Sequence, residues 1–339
     1  AVGTNPQFQW RSNGVPLIDG NNLWGSATDT LNITNLTAAN AASYEVVVSN
    51  SAGAVTSTPP ATLTVITPTP GSYEEAVTAA NPIAYYRLNS TNDPSSGTEP
   101  ALDIWGGHNG VYASAAQNGF NGILGPQPPI FGFETNHGAL ATAAATLNSY
   151  ATAPFGTLGT NNVTFTMWIQ PTGAFDDYSG LLFNRGGTAG GFGFGAGGQL
   201  GYTWNNNNVN TYGFASGLVP AIGEWSFVAL VVEPTQATLH LYTASGLRSV
   251  TNAIAHTADV FGNNWQIGHD DSGANASRTF NGRIDEVAVF NYSLSPAQLL
   301  SLYSAGGPTP TVLSLQPDGG NLILTWPSGT LLEADEITG

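Results

Sequence analysis

The side chains able to do chemistry are few, and their spacing excludes more than it offers. Asp285 and Glu286 form a carboxylate couple inside a strongly patterned apolar run. Acid–base work on a glycosidic bond needs two carboxyl groups facing one substrate. Consecutive residues of a strand point to opposite faces, so this couple is expected not to act together. No Glu-x-Asp-x-x-Glu run occurs, and Glu333, Asp335 and Glu336 lie far along the chain. The five histidines, His108, His137, His240, His256 and His269, show no His-x-x-x-His spacing and no grouping with Ser and Asp. No catalytic residue is assigned, and the chain reads as a non-enzyme. His240 sits in an alternating run as a structural or surface residue, and Asp270-Asp271, in a Gly/Ser loop, reads as solvated. Tyr202 and Trp204, followed by Asn205 to Asn208 and Tyr212, combine aromatic faces with amides as a glycan platform would. The alternation of Leu200, Tyr202 and Trp204 equally suits a core-facing row, which is the simpler reading.

What must position these groups is a set of short strands. Only 8% of the 339 residues are charged; there are six Arg, no Lys, no Cys, and a net charge of −16. A chain this acidic, with no basic cluster, excludes nucleic acid and an anionic membrane surface as partners. The longest apolar stretch, 227–232, is strand-sized, so no membrane insertion is expected. Gly, Asn, Ser and Thr fill the surface instead, which points to a secreted or cell-surface protein, bacterial in style. Alternating runs separated by Asn-Gly, Gly-Asn and Ser-Ala-Gly turns predict an all-β fold throughout. Four parts are expected: a sandwich at 1–66, a Pro-rich linker at 67–81 containing a short helix, a large strand-rich domain at 82–307, and a linker with a partial sandwich at 308–339.

Gln7 to Gly14, with Trp10 at its centre, Ala41 to Tyr44, and Val46 two residues on resemble the third and sixth strands of a bacterial immunoglobulin-like domain. Tyr44 stands where the tyrosine corner of such domains lies. Trp10 arrives early for a third strand, so the first strands are expected to be missing. Four further signatures resemble the laminin-G-like jelly roll of the concanavalin A superfamily: Ala84-Tyr85-Tyr86-Arg87-Leu88, Phe165 to Ile169, Gly223 to Leu230, and Phe280 to Phe290 followed by Leu294 to Leu299. Ser295-Pro296 opens a helix with a capping Ser and Pro at its first position, and Leu299, Leu300, Leu302 and Tyr303 supply its apolar face. The resemblance implies a structural Ca²⁺ at the sandwich edge, with Asp103, Asn109 and Asp285 as oxygen ligands. The alternative is that Asp103 caps a turn and Asp285 accepts backbone hydrogen bonds, and Asp270-Asp271 offers a weaker alternative Ca²⁺ site. Beyond Pro308, Val312, Leu313 and Leu315, then Leu322, Leu324 and Trp326, resemble the opening of a fibronectin type III-like sandwich.

Two functions are expected from this layout. In the first, the protein is a non-catalytic extracellular subunit that assembles head to tail with copies of itself. The C-terminal strands would complete the incomplete first sandwich beside Leu31 and Ile33, forming a filament or surface matrix. In the alternative, the jelly roll is a lectin-like module of a larger secreted adhesin or enzyme, with a polysaccharide as partner.

Overall fold

Hydrogen-bonded pairing between the Trp10 and Tyr44 strands organises the first unit, residues 1–69. The structure is a computed structural model and describes residues 5–205, 207–270, 276–308, 314–318 and 321–325. Gln7–Ser12 pairs antiparallel with Ala42–Asn50, setting Trp10 opposite Val46. Val15–Pro16, Gly53–Thr56 and Ala61–Leu63 complete this sheet. Among the described residues, a second sheet is formed by the pair Leu23–Trp24 and Asn32–Ile33. The strand carrying Ile33, expected to lack a partner, therefore has one, because Ile33 lies in register with Leu23; Leu31 precedes the strand and is half-buried. Trp10 donates its indole Nε1–H to the Thr28 carbonyl at 3.0 Å. Tyr44 donates its hydroxyl to the Asn40 carbonyl at 2.8 Å, the bond of a tyrosine corner. Tyr44 is the one buried apolar side chain among the unit's described residues, so this core is thin.

The second unit, residues 70–339, is a two-sheet sandwich. The larger sheet runs Leu140–Thr142, Gly282–Phe290, Val163–Pro171, Ser226–Glu233, Gln236–Thr243, Gly246–Asn252. Ala84–Tyr86 also pairs with Gly282–Phe290, on the edge it shares with Leu140–Thr142. The smaller sheet runs Ala151–Thr152, Trp265–Ile267, Gly180–Asn184, Gly190–Phe194, Leu200–Thr203. Between the sheets, Phe165, Met167, Leu230 and Val289 from one meet Leu182, Phe192, Tyr202 and Trp265 from the other.

The larger sheet is covered on its other face as well. Trp168, Phe227, Val231, Tyr242 and Phe290 lie under two helices, α1 (Tyr73–Ala79) and α2 (Pro296–Gly306). This explains why Leu239 to Tyr242 are buried in succession although the sequence alternates, and why His240 is a core residue rather than a surface one. α1 starts at Ser72, whose hydroxyl caps Glu75, and it buries Tyr73 and Val77 in this sandwich. The helix expected within a linker is thus part of the domain. α2 begins as expected, with Ser295 accepting from the Gln298 N–H and Pro296 at its first position. Leu299 and Leu302 are buried, whereas Leu300, expected on the apolar face, is 51% exposed because it falls on the far side of the turn.

Near the C-terminus, Ser314–Asp318 and Asn321–Thr325 pair with each other as a hairpin, with Leu315 opposite Leu324 and Leu322 opposite Pro317. Val312, Leu313 and Trp326 lie outside the described residues.

Replacing Tyr44 by Phe removes the tyrosine-corner bond. It is expected to lower the stability of the first unit by about 1 kcal/mol. Hydrogen exchange should show faster opening of amides in Ala42–Asn50, with Val163–Pro171 unchanged.

Candidate functional site

The edge shared by Ala84–Tyr86 and Leu140–Thr142 leaves a gap on Gly282–Phe290, and Asp285 and Glu286 occupy it. Thr166 pairs with Ala288 and Trp168 with Asp285, so two residues, Glu286 and Val287, oppose the single Met167. This is a β-bulge, with Glu286 in the left-handed region at φ 54°. The extra residue resets the alternation: Ile284, Val287 and Val289 all enter the inter-sheet core. The two carboxylates, expected on opposite faces, consequently meet the same imidazole. His137 Nε2 lies 2.7 Å from Asp285 Oδ2 and 3.1 Å from Glu286 Oε1. Arg87, just past the Ala84–Tyr86 strand, sets Nε 3.1 Å from Glu286 Oε1 and Nη1 3.3 Å from Glu74 Oε2 of α1, and also bonds Glu134. Tyr85 donates its hydroxyl to Glu286.

His137, Asp285 and Glu286 have the donor types of a metal site and lie close enough together. As arranged, the imidazole and the two carboxylates face one another as an ion-paired set. Burial alone would lower the His137 value, but Asp285, Glu134 and Glu286 outweigh it and push it up to about 12. A metal would have to displace that proton to take the ring's lone pair. Burial also raises Asp285 to about 7, against the pull of His137. With Asp285, Glu286 and His137 side chains all fully buried, no sugar reaches this couple. The cluster is a structural lock joining α1, the two edge strands and the closing strand.

The expected Ca²⁺ ligands are divided between different tasks. Asp103 Oδ1 accepts from the N–H groups of Tyr85 at 2.8 Å, Trp105 at 3.1 Å and Gly106 at 3.0 Å, and Oδ2 from that of His108 at 3.1 Å. Asn109 Oδ1 accepts from the Asp103 N–H at 3.0 Å. Asp285 faces His137 instead. These three residues do not fit a Ca²⁺ site as arranged, because the Asp103 carboxylate is saturated by its own loop and Asp285 belongs to the lock.

Of the aromatic platform, Tyr202 and Trp204 are core residues, 1% and 2% exposed. Tyr202 bonds His256 Nε2 at 2.9 Å and Asn252 Nδ2 at 2.8 Å, and Trp204 donates to the Thr257 carbonyl at 2.9 Å. Neither presents a face to a ligand. Tyr212 is different. It ends the π-helical turn Asn208–Tyr212 and lies over Phe183, with ring centroids 5.9 Å apart and 25° between planes. Phe183 stands outside the inter-sheet cluster, next to core-facing Leu182, so Tyr212 covers the outer face of the smaller sheet.

There Tyr212 lines a cleft of about 250 Å³ with Tyr178, Arg185, Gly213 and Arg278. Backbone bridges from Gly180 and His269 to Thr279 bring the segments bearing Tyr178, Asp270 and Arg278 side by side. Gly180 permits this approach, since a Cβ would stand 2.4 Å from the Asp270 nitrogen. Asp270, expected to be solvated, is fully buried and holds both guanidinium groups. Arg185 reaches it through Nε at 2.6 Å and Nη2 at 2.7 Å, Arg278 through Nη1 at 2.8 Å, and the Tyr212 hydroxyl also donates to it. Burial, then the Asp270 charge, raises the Tyr212 phenol beyond its ordinary range, so it stays neutral. The rings of Tyr178 and Tyr212 stand at 87°, 5.2 Å apart, with Arg278 5.8 Å from the first and 5.9 Å from the second. Tyr178, Arg185 and Arg278 were not picked out from the sequence. The signal available was the scarcity of base: two of only six cations meet here.

A further cavity of about 300 Å³ lies between Asn89 to Asn92, Glu99, Leu102 and Tyr112. Ser90 and Asn92 are spent on Glu99 at 2.5 and 3.1 Å, and the Tyr112 ring is fully buried, so no aromatic face is offered.

Residues 145–300 match the model of the concanavalin A-like lectin/glucanases superfamily, and residues 2–65 that of the immunoglobulin I-set domain. An I-set module precedes a concanavalin A-like domain. No curated protein matches the chain. Among solved structures, a Trypanosoma rangeli sialidase in complex with the inhibitor DANA aligns at 12% identity and a TM-score of 0.42, over 65% of this chain and 32% of its own. Domain 4 of an extracellular GH43 arabinanase from Geobacillus stearothermophilus, in complex with arabinotriose, aligns at 12% identity and a TM-score of 0.38, over 65% of this chain and 97% of its own. The CBM40 of the Ruminococcus gnavus IT-sialidase, bound to α2,3 sialyllactose, aligns at 16% identity and a TM-score of 0.35, over 48% of this chain and 95% of its own. The chain spans about a third of the sialidase it matches. Similarity at this level concerns overall fold alone. No helix among the described residues is long and apolar enough to cross a membrane.

Arg87→Met removes the guanidinium on buried Glu286, leaving it His137 and Tyr85, and is expected to cost the concanavalin A-like domain about 3 kcal/mol, read from urea unfolding. His137 gives a pH signature. Its folded value of about 12 exceeds the ordinary 6.5, so its stabilisation is complete below pH 6.5 and is lost as pH rises towards 12. Stability should therefore fall by about 1.4 kcal/mol per unit between pH 7.5 and 9.5. The raised value of Asp285 removes stability only between its ordinary 3.8 and about 7, below that window. His137→Gln should flatten the slope; an unchanged slope in the variant would refute the assignment.

Proposed function

We propose that this protein is a non-catalytic, secreted carbohydrate-binding protein and that its concanavalin A-like domain binds sugar in the Tyr178, Arg185, Tyr212 and Arg278 cleft. The observation that carries this reading is the cleft itself. It offers two tyrosine rings at right angles and guanidinium N–H donors, fixed from below by a buried carboxylate. Ring faces pack against the C–H faces of a sugar, while pre-oriented donors read its hydroxyl groups. The match to a lectin/glucanase superfamily supports the same class. Catalysis is left out of the proposal because Asp285 and Glu286, the one carboxylate couple that the bulge brings together in the closing strand, are sealed in the lock.

A second reading, head-to-tail self-assembly, is favoured by the thin I-set core and by a C-terminal hairpin whose two strands pair with each other. In that reading the hairpin of one copy covers the apolar face bearing Leu31 and Ile33 in the next. Sedimentation at rising protein concentration tests it: polymers that disappear when residues 311–339 are deleted support it, and monomers throughout refute it.

For the sugar-binding reading, affinity electrophoresis against a panel of neutral and acidic polysaccharides is expected to show retardation of the wild type. Tyr178→Ala should weaken that retardation about tenfold or more, equivalent to about 1.4 kcal/mol, without changing the unfolding midpoint. Retention that survives Tyr178→Ala would place binding elsewhere.

A further inference from the structure

The cleft carries a charge that sugar binding in general does not require. Resting on the sugar-binding reading above, we infer that the cleft selects a sugar bearing a carboxylate, a uronic or similar acidic residue. In a chain of net charge −16, two arginines face one aspartate here. Both Asp270 oxygens are already engaged: Oδ1 by Arg185 Nε, and Oδ2 by Arg185 Nη2, Arg278 Nη1 and the Tyr212 hydroxyl. Within the trio of Arg185, Arg278 and Asp270, one positive charge is therefore left over. Among the described residues, Arg185 Nη1 and Arg278 Nη2 meet no acceptor, and the two side chains keep 26% and 29% of their surface exposed. Asp177, which directly precedes Tyr178, is exposed and accepts from the Gly197 N–H at 2.8 Å, so its charge stays outside the trio.

Shape and charge agree. Arg185 is clamped on Asp270 through Nε and Nη2, and Nη2 also donates to the Tyr212 hydroxyl at 2.9 Å, which fixes its plane and leaves Nη1 to meet a carboxylate oxygen. Phe183 and Tyr212 hold Arg185 at 5.2 and 5.8 Å from their ring centres, so its orientation does not depend on the ligand. A single surplus charge pairs with a monoanion. Tyr178 remains at the cleft wall to take the sugar ring.

Isothermal titration of the full chain with oligosaccharides of galacturonate, alginate and hyaluronan and with sialyllactose, each beside its carboxyl-reduced neutral counterpart, tests the inference. At least one acidic form should bind tenfold or more tighter than its reduced form. That preference should vanish in Arg278→Gln, which keeps the Arg185–Asp270 pair, and weaken in Arg278→Lys, which keeps the charge without the fork. Equal affinity for acidic and reduced forms overturns carboxylate selection while sparing the sugar-binding reading, provided Tyr178→Ala abolishes both. Preference retained in Arg278→Gln, or dextran sulfate bound as tightly as the best carboxylate, also overturns it. Binding to none of the probes in either form sinks both readings.

Discussion

The Arg87 guanidinium, set against Glu286 where the closing strand takes one extra residue, is the contact on which the concanavalin A-like domain turns. A regular strand would bury one carboxylate among the hydrophobic side chains between the sheets, where an unpaired charge is prohibitive. The bulge moves Glu286 out of that layer and hands the core position to Val287. Arg87, just past Ala84–Tyr86, and His137, shortly before Leu140–Thr142, then reach it from the segments flanking the two edge strands. Glu74 extends the same charge pairing to α1, so a helix that contributes Tyr73 and Val77 to the packing is also fixed in position by ions.

The cleft on the smaller sheet uses the same pair of charge types under the opposite solvent condition. In the lock, acids outnumber the bases and all the groups but Glu134 are largely enclosed, which gives rigidity. Around Asp270, bases outnumber the acid and remain partly exposed, which leaves recognition capacity. Burying the shared acid rather than the bases is the decisive difference. The acid organises the trio from below, while the two guanidinium groups outweigh its charge and keep part of their surface exposed.

Much of the architecture is legible in the sequence, since strand alternation, the capping Ser295-Pro296 pair and the Tyr44 corner are local patterns that survive in the fold. The site residues were less legible. Tyr202 and Tyr212 look alike in sequence, but one lies on a strand facing inward and the other on a helical turn facing outward, a distinction set by tertiary packing. Asp285 and Glu286 misled because strand periodicity assumes an unbroken register, and a bulge leaves no trace in residue type when the residue at positive φ is Glu rather than Gly. Asp270, read as solvated from its Gly/Ser surroundings, is buried by partners 58 and 85 residues away. The aspartate loop at Asp103 shows the converse: its ligand-like composition is consumed by its own backbone.

The placement of α1 and α2 has a mechanical consequence. The chain enters the concanavalin A-like domain through α1 and leaves it after α2, and the two helices meet on the same side of the larger sheet, where Gly306 packs against the Tyr73 ring. A load pulling the domain's two ends apart thus meets first the contact between adjacent helices, with the Arg87–Glu74 pair holding α1 to the edge of the larger sheet. The cleft, on the outer face of the smaller sheet, stands at the layer farthest from both points of attachment.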